Sequence, residues 1–443
     1  MKLLLIGLIL GIVILREIRA REAITSAPDV GQIIKDLDGL QIDGATFERG
    51  APCRVDVQKD LPRPDQAQPL YLRPGTDLYW LPNADGHLEI PRGASIELHC
   101  SSQSFAPLNG ESLDAELRSL RVKCVQDNTF EWQGAKIKLR DLVCSHSIPY
   151  TVERLDRRCA DGDVTSSPST SFLYRVGYDT GDGRFVATME LCHDPNHLRT
   201  HYARHQLTPA SVHFQKNVKR LKFSPAGHFA GFDMARIYSH KSQEKLMAPL
   251  GLIDVKSGLF LARGHLAAKA DLIYASQQRS SFNYMNVAPQ WQSFNGGQWA
   301  VLEDHTRRYV ASSGISASVY TGTYGEMKLA GSKSLHLTTD ANNNGVLAVP
   351  QLFYRVLIDD GHPTRGIALL GVNNPHATLA QIHESYIICD PVEEQVEWLG
   401  WMHKSNAKGN LKKGYLYACS VADLARAVGE LPRPLLQVDE LLG

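Results

Sequence analysis

Residues 295–307 carry four side chains at intervals of four along a segment with helical periodicity. On a helix this spacing puts all four on roughly one stripe, because residues four apart lie on the same face. The four are Asn295, Trp299, Glu303 and Arg307. A purely structural stripe would be apolar, whereas this one offers an amide, a carboxylate and a guanidinium. The spacing therefore predicts a helix that carries a polar site on one side.

A histidine and two amides precede this helix. His265 follows an apolar, strand-like run and ends the tripeptide that begins at Arg263. Asn286 and Gln290 lie on either side of a Val-Ala-Pro segment. Because the pKa of histidine lies close to neutral pH, His265 can take a proton from an attacking water.

The residue types of the stripe suit the hydrolysis of a phosphodiester. The amide oxygen of Asn295 can bind a hard cation such as Mg²⁺, which keeps most of its own waters. Glu303 could bind one of those waters. Arg307 could donate hydrogen bonds to a phosphate oxygen from its planar guanidinium. The metal would then stabilise charge on the phosphate and on the leaving 3′ oxygen.

Each of these residues also has a structural explanation when it is taken alone. His265 would then be a core histidine with satisfied hydrogen bonds, and Asn295, which precedes two glycines, would be a helix N-cap or a turn residue. Glu303 and Arg307 are spaced as an ordinary surface ion pair. Only the joint spacing favours a catalytic site.

Together these motifs resemble the DNA/RNA non-specific endonucleases of the ββα-metal type. That family carries Arg-Gly-His, then Asn-x-x-Pro-Gln, then Asn-x-x-x-Trp-x-x-x-Glu. The resemblance implies that His265 is the general base and that Asn295 is the only direct protein ligand of Mg²⁺, with Mn²⁺ as an alternative ion. It also implies that Arg263, Asn286 and Glu303 are the other catalytic residues. Gln290 and Arg307 are then expected to bind substrate.

An upstream arginine helps to bind the phosphate in this family, and Arg220 is the best match. It lies in a basic stretch, residues 216–222, that could supply a local attractive surface, since the formal net charge of the chain is zero. A solvated charged face is the alternative for that stretch. One departure from the family pattern is Ala262, where the family has an acid.

The chain is expected to fold as an α+β protein with two parts. Short strands separated by turns over 24–160 predict a small β-rich domain braced by disulfides. The polar stretch 161–170 is the expected boundary, and 165–432 would form the nuclease domain. This layout resembles secreted arthropod members of the family, among them a duplex-specific type from crab.

The start of the chain is typical of a secretory signal peptide over residues 1–20. Lys2 precedes an apolar run from Leu3 to Leu15, and the small residue Ala20 follows a charged segment. The run is shorter than the roughly 20 residues that span a bilayer. An uncleaved anchor is the alternative. We otherwise expect a secreted, extracellular protein without stable membrane association.

Eight cysteines fit a disulfide framework in a secreted chain, although their number alone allows roughly a hundred pairings. Six of them precede residue 200, so that Cys389 and Cys419 are expected to pair with each other. A separate motif, Asp340 to Gly345, copies the first half of a calcium loop but has Gln351 where a glutamate is required. We expect a polar hairpin turn there.

The sequence thus predicts a secreted, metal-dependent endonuclease that cuts DNA and RNA with little sequence preference and leaves 5′-phosphate ends. Every assigned group addresses phosphate, water or metal, and none addresses a base edge. Two alternatives stay open: a DNase of the same fold that prefers duplex DNA, and a catalytically inactive extracellular nucleic-acid-binding protein. An interaction protein whose β-rich domain carries the main function is a further possibility, and the oligomeric state is open.

Overall fold

A computed structural model describes most of the chain that follows the expected signal peptide. The described residues are 50–108, 110–159, 170–329, 333–407, 410–429 and 431–443. The segment expected to be the signal peptide, residues 1–20, lies outside them, and so does most of the expected boundary at 161–170. Within the described residues, no helix is both long enough and apolar enough to cross a membrane.

Seven short strands build the N-terminal part. They are β1 (Cys53–Asp56), β2 (Leu70–Leu72), β3 (His87–Ile90), β4 (Ser95–His99), β5 (Ser119–Gln126), β6 (Thr129–Trp132) and β7 (Ala135–Ile137). Five form one antiparallel sheet in the order β2-β4-β5-β6-β7, and β1 pairs with β3. Disulfides Cys53–Cys124 and Cys100–Cys144 tie these strands together. The expected β-rich, disulfide-braced part is confirmed.

Thirteen further strands follow. They are β8 (Thr151–Arg158), β9 (Phe172–Asp179), β10 (Phe185–Asp194), β11 (Arg199–Leu207), β12 (Leu261–His265), β13 (Val287–Trp291), β14 (Ala317–Tyr324), β15 (His336–Thr339), β16 (Gly345–Ala348), β17 (Leu352–Asp359), β18 (Arg365–Val372), β19 (Leu416–Cys419) and β20 (Glu440–Leu441). Nine of these form one large sheet in the order β19-β18-β17-β14-β11-β10-β9-β8, to which β20 adds beside β18. All neighbours are antiparallel except β20, which runs parallel to β18.

Helices are short and lie between these strands. They are α1 (Met234–Ile237), α2 (His240–Met247), α3 (Ala275–Ser280), α4 (Gln292–Phe294), α5 (Ala300–Ser313), α6 (Leu379–Ser385), α7 (Gly400–Ala407) and α8 (Val421–Val428). A π-helical turn, Asn295–Trp299, joins α4 to α5. The antiparallel pair β12 and β13 followed by this helical segment is the expected ββα unit, and the α+β class is confirmed.

The large sheet begins earlier in the chain than the sequence suggested. Strand β8 lies inside the range 24–160 assigned to the N-terminal domain, yet it pairs with β9, with Thr151 opposite Gly177. The disulfide Cys159–Cys192 fastens the end of β8 to β10. The domain ranges 24–160 and 165–432 stay predictions, with β8 lying on the nuclease side of the structure.

The N-terminal part and the large sheet share a hydrophobic core. Tyr274, in the segment that follows β12, is fully buried, and its ring centroid lies 5.2 Å from that of Tyr71 and 5.7 Å from that of Tyr79. Its hydroxyl donates to the carbonyl of Trp80. Arg279 of α3 donates to the carbonyl of Pro64 at 2.6 Å. Aromatic packing and hydrogen bonds therefore hold the segment between β12 and β13 against the N-terminal part.

Replacing Tyr274 with alanine is expected to lower the free energy of unfolding by roughly 3–5 kcal/mol, the cost of removing a large aromatic ring from a core. Chemical denaturation followed by tryptophan fluorescence would measure the change. Leu78→Ala is the matched control, because Leu78 is an apolar residue of the same region that is 58% exposed. Its expected cost is within about 0.5 kcal/mol. Equal costs for the two variants would contradict the shared core.

Two smaller expectations from the sequence are confirmed. Cys389 pairs with Cys419, and none of the cysteines within the described residues is free. The calcium-loop-like stretch is the turn of the β15–β16 hairpin, where the Asp340 carboxylate accepts from the backbone N–H of Asn342 and of Asn344 at 2.8 Å. Because these bonds occupy the carboxylate, the stretch is a polar turn.

Candidate active site

His265 ends strand β12 and is buried between two aromatic rings. Its ring centroid lies 5.2 Å from that of Phe223 and 5.2 Å from that of Phe282, and the residue is 9% exposed. Burial lowers the pKa of His265 to about 3, and the positive charges of Arg220 and Lys269 act in the same direction. The imidazole is therefore neutral at neutral pH. Its Nε2 atom is buried and has no hydrogen-bond partner among the described residues. A phosphate bound beside the ring would raise this pKa and so strengthen the base, because a nearby anion favours the protonated form.

The glycine before His265 is required by the side chain of Gln290. Gly264 pairs with Ala288 across the two strands, and a Cβ atom on Gly264 would lie 2.5 Å from the Cβ of Gln290. Any larger residue would displace the buried Gln290 side chain. In the described structure Oε1 and Nε2 of Gln290 are buried without a hydrogen-bond partner. Gln290 thus brings unused polar atoms to the strand that carries His265.

Asn286 holds the turn that follows His265. Its Oδ1 accepts from the backbone N–H of Ala267 at 2.9 Å, and its Nδ2 donates to the carbonyls of Ala267 at 3.0 Å and Ser281 at 3.1 Å. The residue is fully buried. Because the oxygen and the nitrogen of its amide are both hydrogen-bonded to backbone groups, Asn286 holds the backbone around His265 in place. Few of its hydrogen-bonding sites are left for a ligand.

The helical stripe expected from the sequence is broken at Gly297. The backbone there has φ −105° and ψ −119°, which is not helical. A Cβ atom at this position would lie 2.6 Å from the carbonyl oxygen of Lys413, so the close approach of that segment demands glycine. The four side chains therefore do not share one straight helix face. The sequence pattern identified a helix but could not show this approach of a distant segment.

Asn295 opens the π-helical turn and is partly exposed. Its Nδ2 donates to Oε1 of Gln292 at 3.4 Å. The backbone N–H of Gln292 donates to the carbonyl of Phe260 at 2.8 Å, which keeps the start of the helical segment beside β12. Among the hydrogen bonds of the described residues, the amide oxygen of Asn295 accepts none.

Glu303 lies in the first turn of α5 and is half-buried. Burial raises the pKa of Glu303 to about 7, and the negative charge of Asp271 adds to the effect. Arg355 and Arg307 act in the opposite direction. A carboxyl group whose pKa is raised by burial beside a second carboxylate is common at functional sites.

A buried ionic cluster lies next to Glu303 and includes three residues that the sequence did not single out. Asp271 accepts from Arg307 at 2.9 Å, from Arg355 at 2.8 Å and from Nε2 of His205 at 2.8 Å. Although burial alone would raise the pKa of Asp271, these partners hold it well below its usual range. The cluster joins α5 to strands β11 and β17 and to the turn after His265.

The side chain of Arg307 is oriented differently from the prediction, in which it faced a phosphate of the substrate. Its side chain is 7% exposed and faces Asp271, with a second contact to Asp304 at 3.4 Å. The guanidinium of Arg307 is already paired with the buried carboxylate of Asp271. Arg307 therefore stabilises α5 in this structure and does not direct its guanidinium at solvent. Helical spacing alone could not distinguish these two orientations.

The two other arginines named from the sequence lie on aromatic rings near His265. The guanidinium carbon of Arg220 is 5.5 Å from the ring centroid of Phe282, and Arg220 is exposed. Arg263 lies over Phe223 and Tyr238 at 5.7 and 5.2 Å, and Nη2 donates to the carbonyl of Ala235 at 3.4 Å. Arg220 is thus available to a ligand, whereas Arg263 is half-buried against these aromatic rings.

Sequence reasoning missed four residues around this site, Lys269, Asp271, His205 and Arg355. Two of them did leave a signal in the sequence. Asp271 is the only acid between Leu266 and Ile273, and Arg355 interrupts the apolar run of β17. A charge inside a segment predicted to be buried requires a partner of opposite charge. Their pairing could have been suspected on that ground.

The donor set fits a hard cation held through a single protein atom. Within the described residues, no three or more His, Cys, Asp or Glu side chains are grouped so that they could hold a metal ion. A site of the kind expected here needs one oxygen ligand, because Mg²⁺ keeps several waters. The free, partly exposed amide oxygen of Asn295 meets that requirement.

The sequence model of the DNA/RNA non-specific endonuclease family matches residues 169–424, which is more than half of the chain. A salivary endonuclease of Lutzomyia longipalpis is 28% identical over 319 residues, covering 70% of this chain and 69% of the relative. A nuclease of Serratia marcescens is 28% identical over 165 residues, covering 35% of this chain and 56% of that protein.

Other similar proteins are more distant. Salivary protein Tsal2A of Glossina morsitans morsitans is 20% identical over 388 residues, covering 86% of this chain and 92% of the relative. Among solved structures, a crystal structure of an EndoG/EndoGI complex aligns with a TM-score of 0.35 and 21% identity, covering 57% of this chain and 84% of that one.

Proposed function

This chain belongs to the DNA/RNA non-specific endonuclease family, and on that premise we propose that it is a secreted, Mg²⁺-dependent enzyme with His265 as its general base. Its substrates are DNA and RNA, cut within the chain with little sequence preference. Membership of the family makes it a hydrolase of phosphodiester bonds. The metal ion, the residue roles, the ends produced and the place of action are the parts that we propose.

The observation that carries the proposal is the state of the His265 imidazole. It is neutral, it keeps Nε2 without a partner among the described residues, and it lies beside the positive charges of Arg220 and Lys269. A base must be unprotonated before it acts, and nearby cations attract a phosphate. His193 and His205 also keep a buried ring nitrogen without a partner among the described residues, so the free nitrogen together with the two cations, and not the nitrogen alone, singles out His265.

In the proposed reaction His265 removes a proton from water as the oxygen attacks phosphorus, and the bond from phosphorus to the 3′ oxygen breaks. The leaving 3′ oxygen takes a proton from a second water, and His265 then returns its proton to solvent. The products are then a 5′-phosphate and a 3′-hydroxyl. Arg220 holds a phosphate oxygen, and Asn286 keeps the chain around His265 in place through its backbone bonds. Asn295 would hold Mg²⁺, which when bound stabilises negative charge on the phosphate and the leaving oxygen.

The low sequence preference follows from what these groups can contact. Arg220, His265 and Asn295 address phosphate, water and metal, and none of them is assigned to a base edge. Phosphate contacts position a nucleic acid without reading its sequence. Secretion is supported by four disulfides, which persist in oxidising compartments, and by relatives that are named as salivary proteins.

Removal of the metal is expected to abolish cleavage reversibly. Purified full-length protein should nick and linearise plasmid with MgCl₂, stop with excess EDTA and recover when Mg²⁺ or Mn²⁺ is restored. Digestion that continues in EDTA would exclude the proposed metal dependence. Running duplex DNA, single-stranded DNA and RNA in parallel would identify a duplex-preferring enzyme, and failure to cut any of them with either ion would favour a binding protein.

A further inference from the structure

Two cations flank His265 because the chain at 218–223 folds over the turn that follows β12. The ring of Phe282 contacts both the guanidinium of Arg220, at 5.5 Å, and the ring of His265, at 5.2 Å. Nζ of Lys269 donates to the carbonyl of Val218 at 2.9 Å, two residues before Arg220. One aromatic ring and one hydrogen bond thus fix both positive groups near the proposed base.

These two cations, like Arg263, have no acid beside them in the described part of the chain, whereas the arginines of the buried cluster do. Arg307 and Arg355 are paired with Asp271 within 3 Å. In the part of the chain that the structure describes, neither Arg220 nor Lys269 comes within ion-pair distance of a carboxylate. Lys269 is partly buried, and a partly buried cation without a counter-ion is unfavourable, because it has lost part of its hydration.

The ammonium group of Lys269 also has donors to spare. An ammonium carries three N–H bonds, and the carbonyl of Val218 takes one. Burial lowers the pKa of Lys269, and the neighbouring charge of Arg220 adds to this effect, as expected for two cations without an anion between them. A phosphate oxygen would accept the free donors and offset the repulsion.

We infer that Lys269 is a substrate-binding residue, which together with Arg220 holds a non-bridging oxygen of an internal phosphodiester against His265. The inference rests on the proposed function and names a contact within the same site. Because a lysine is a compact charge and an arginine a planar fork, the two can contact different oxygens of one phosphate. The ligand class is any nucleic-acid backbone, since neither group is placed to read a base.

The test is a binding measurement in which no DNA is cut. In protein carrying His265→Ala, the added change Lys269→Met should weaken binding of a short fluorescein-labelled duplex with 5′-hydroxyl ends, measured by anisotropy at several NaCl concentrations. The slope of log Kd against log salt should fall by about one, the effect of losing one phosphate contact. Lys269→Arg should restore most of the affinity and of the slope.

Lys136→Met in the same protein is the matched control, because Lys136 is an exposed lysine of β7 in the N-terminal sheet. If Lys269→Met binds with the affinity and salt slope of this control, the inference is wrong, while cleavage by the unaltered protein would leave the proposed function intact. A loss of binding in Lys269→Arg equal to that in Lys269→Met, with lower thermal stability, would assign Lys269 a structural role and overturn the inference.

Discussion

Replacing His265 with alanine is expected to lower kcat/KM for plasmid cleavage by about 10²- to 10⁴-fold, the usual contribution of a general base. The imidazole is neutral in the folded protein because burial lowers its pKa to about 3, and its Nε2 has no hydrogen-bond partner among the described residues. Removing it leaves the attacking water without an acceptor, whereas the phosphate-binding arginine remains. Cleavage rates at saturating Mg²⁺ over a range of plasmid concentrations would measure the loss.

Two controls separate catalysis from folding. His265→Gln fills more of the space between Phe223 and Phe282, so it should retain stability and still lose cleavage. His403→Ala, at a histidine whose side chain is 68% exposed, should cut like the unaltered protein. Normal cleavage by His265→Ala or His265→Gln would exclude His265 as the base.

Asp271→Ala is expected to lower the free energy of unfolding by about 3–5 kcal/mol, the cost of breaking a buried ion pair by removing one partner. Two guanidiniums and an imidazole then lose their shared acceptor in a region without solvent. Arg355 is fully buried and Arg307 nearly so. Urea denaturation of the purified variant would measure the change, and cleavage should fall as well because Arg307 anchors α5.

Asp304→Ala is the matched control for Asp271→Ala, since Asp304 also pairs with Arg307 but its side chain is 45% exposed. An exposed pair contributes roughly 0–1 kcal/mol. The folded structure lowers the pKa of Asp271, so its stabilisation is complete above the ordinary aspartate pKa of about 4 and declines only as the pH falls further. Equal costs for both variants at pH 7 would show that the cluster contributes little.

Local spacing in the sequence predicted several features of the fold, and the family resemblance implied the ββα unit. The ββα unit, the pairing of Cys389 with Cys419 and the hairpin turn at Asp340 all depend on residues close in sequence, and all are confirmed. A short pattern constrains such features directly, because strand pairing, loop closure and turn chemistry act over a few tens of residues. The roles assigned to His265 and Asn295 stay predictions until they are tested.

Features that depend on contacts between distant segments of the chain could not be predicted from local sequence patterns. The break at Gly297 depends on the carbonyl of Lys413, which lies more than a hundred positions later in the chain. Arg307 turns inward because Asp271 lies beneath it, and Arg355 reaches that carboxylate from another strand. No periodicity in one segment reports which charge a second segment brings beside it.

The packing of Tyr274 between Tyr71 and Tyr79 limits how this protein can be rebuilt. The segment that runs from His265 to Asn286 touches the N-terminal strands on one side and carries Lys269 and Asp271 on the other. A chimera that joins the nuclease part to a foreign β domain would have to recreate the aromatic contacts of the Tyr274 ring. The N-terminal strands β1–β7 are therefore a fixed component of the fold and cannot be exchanged as an interchangeable module.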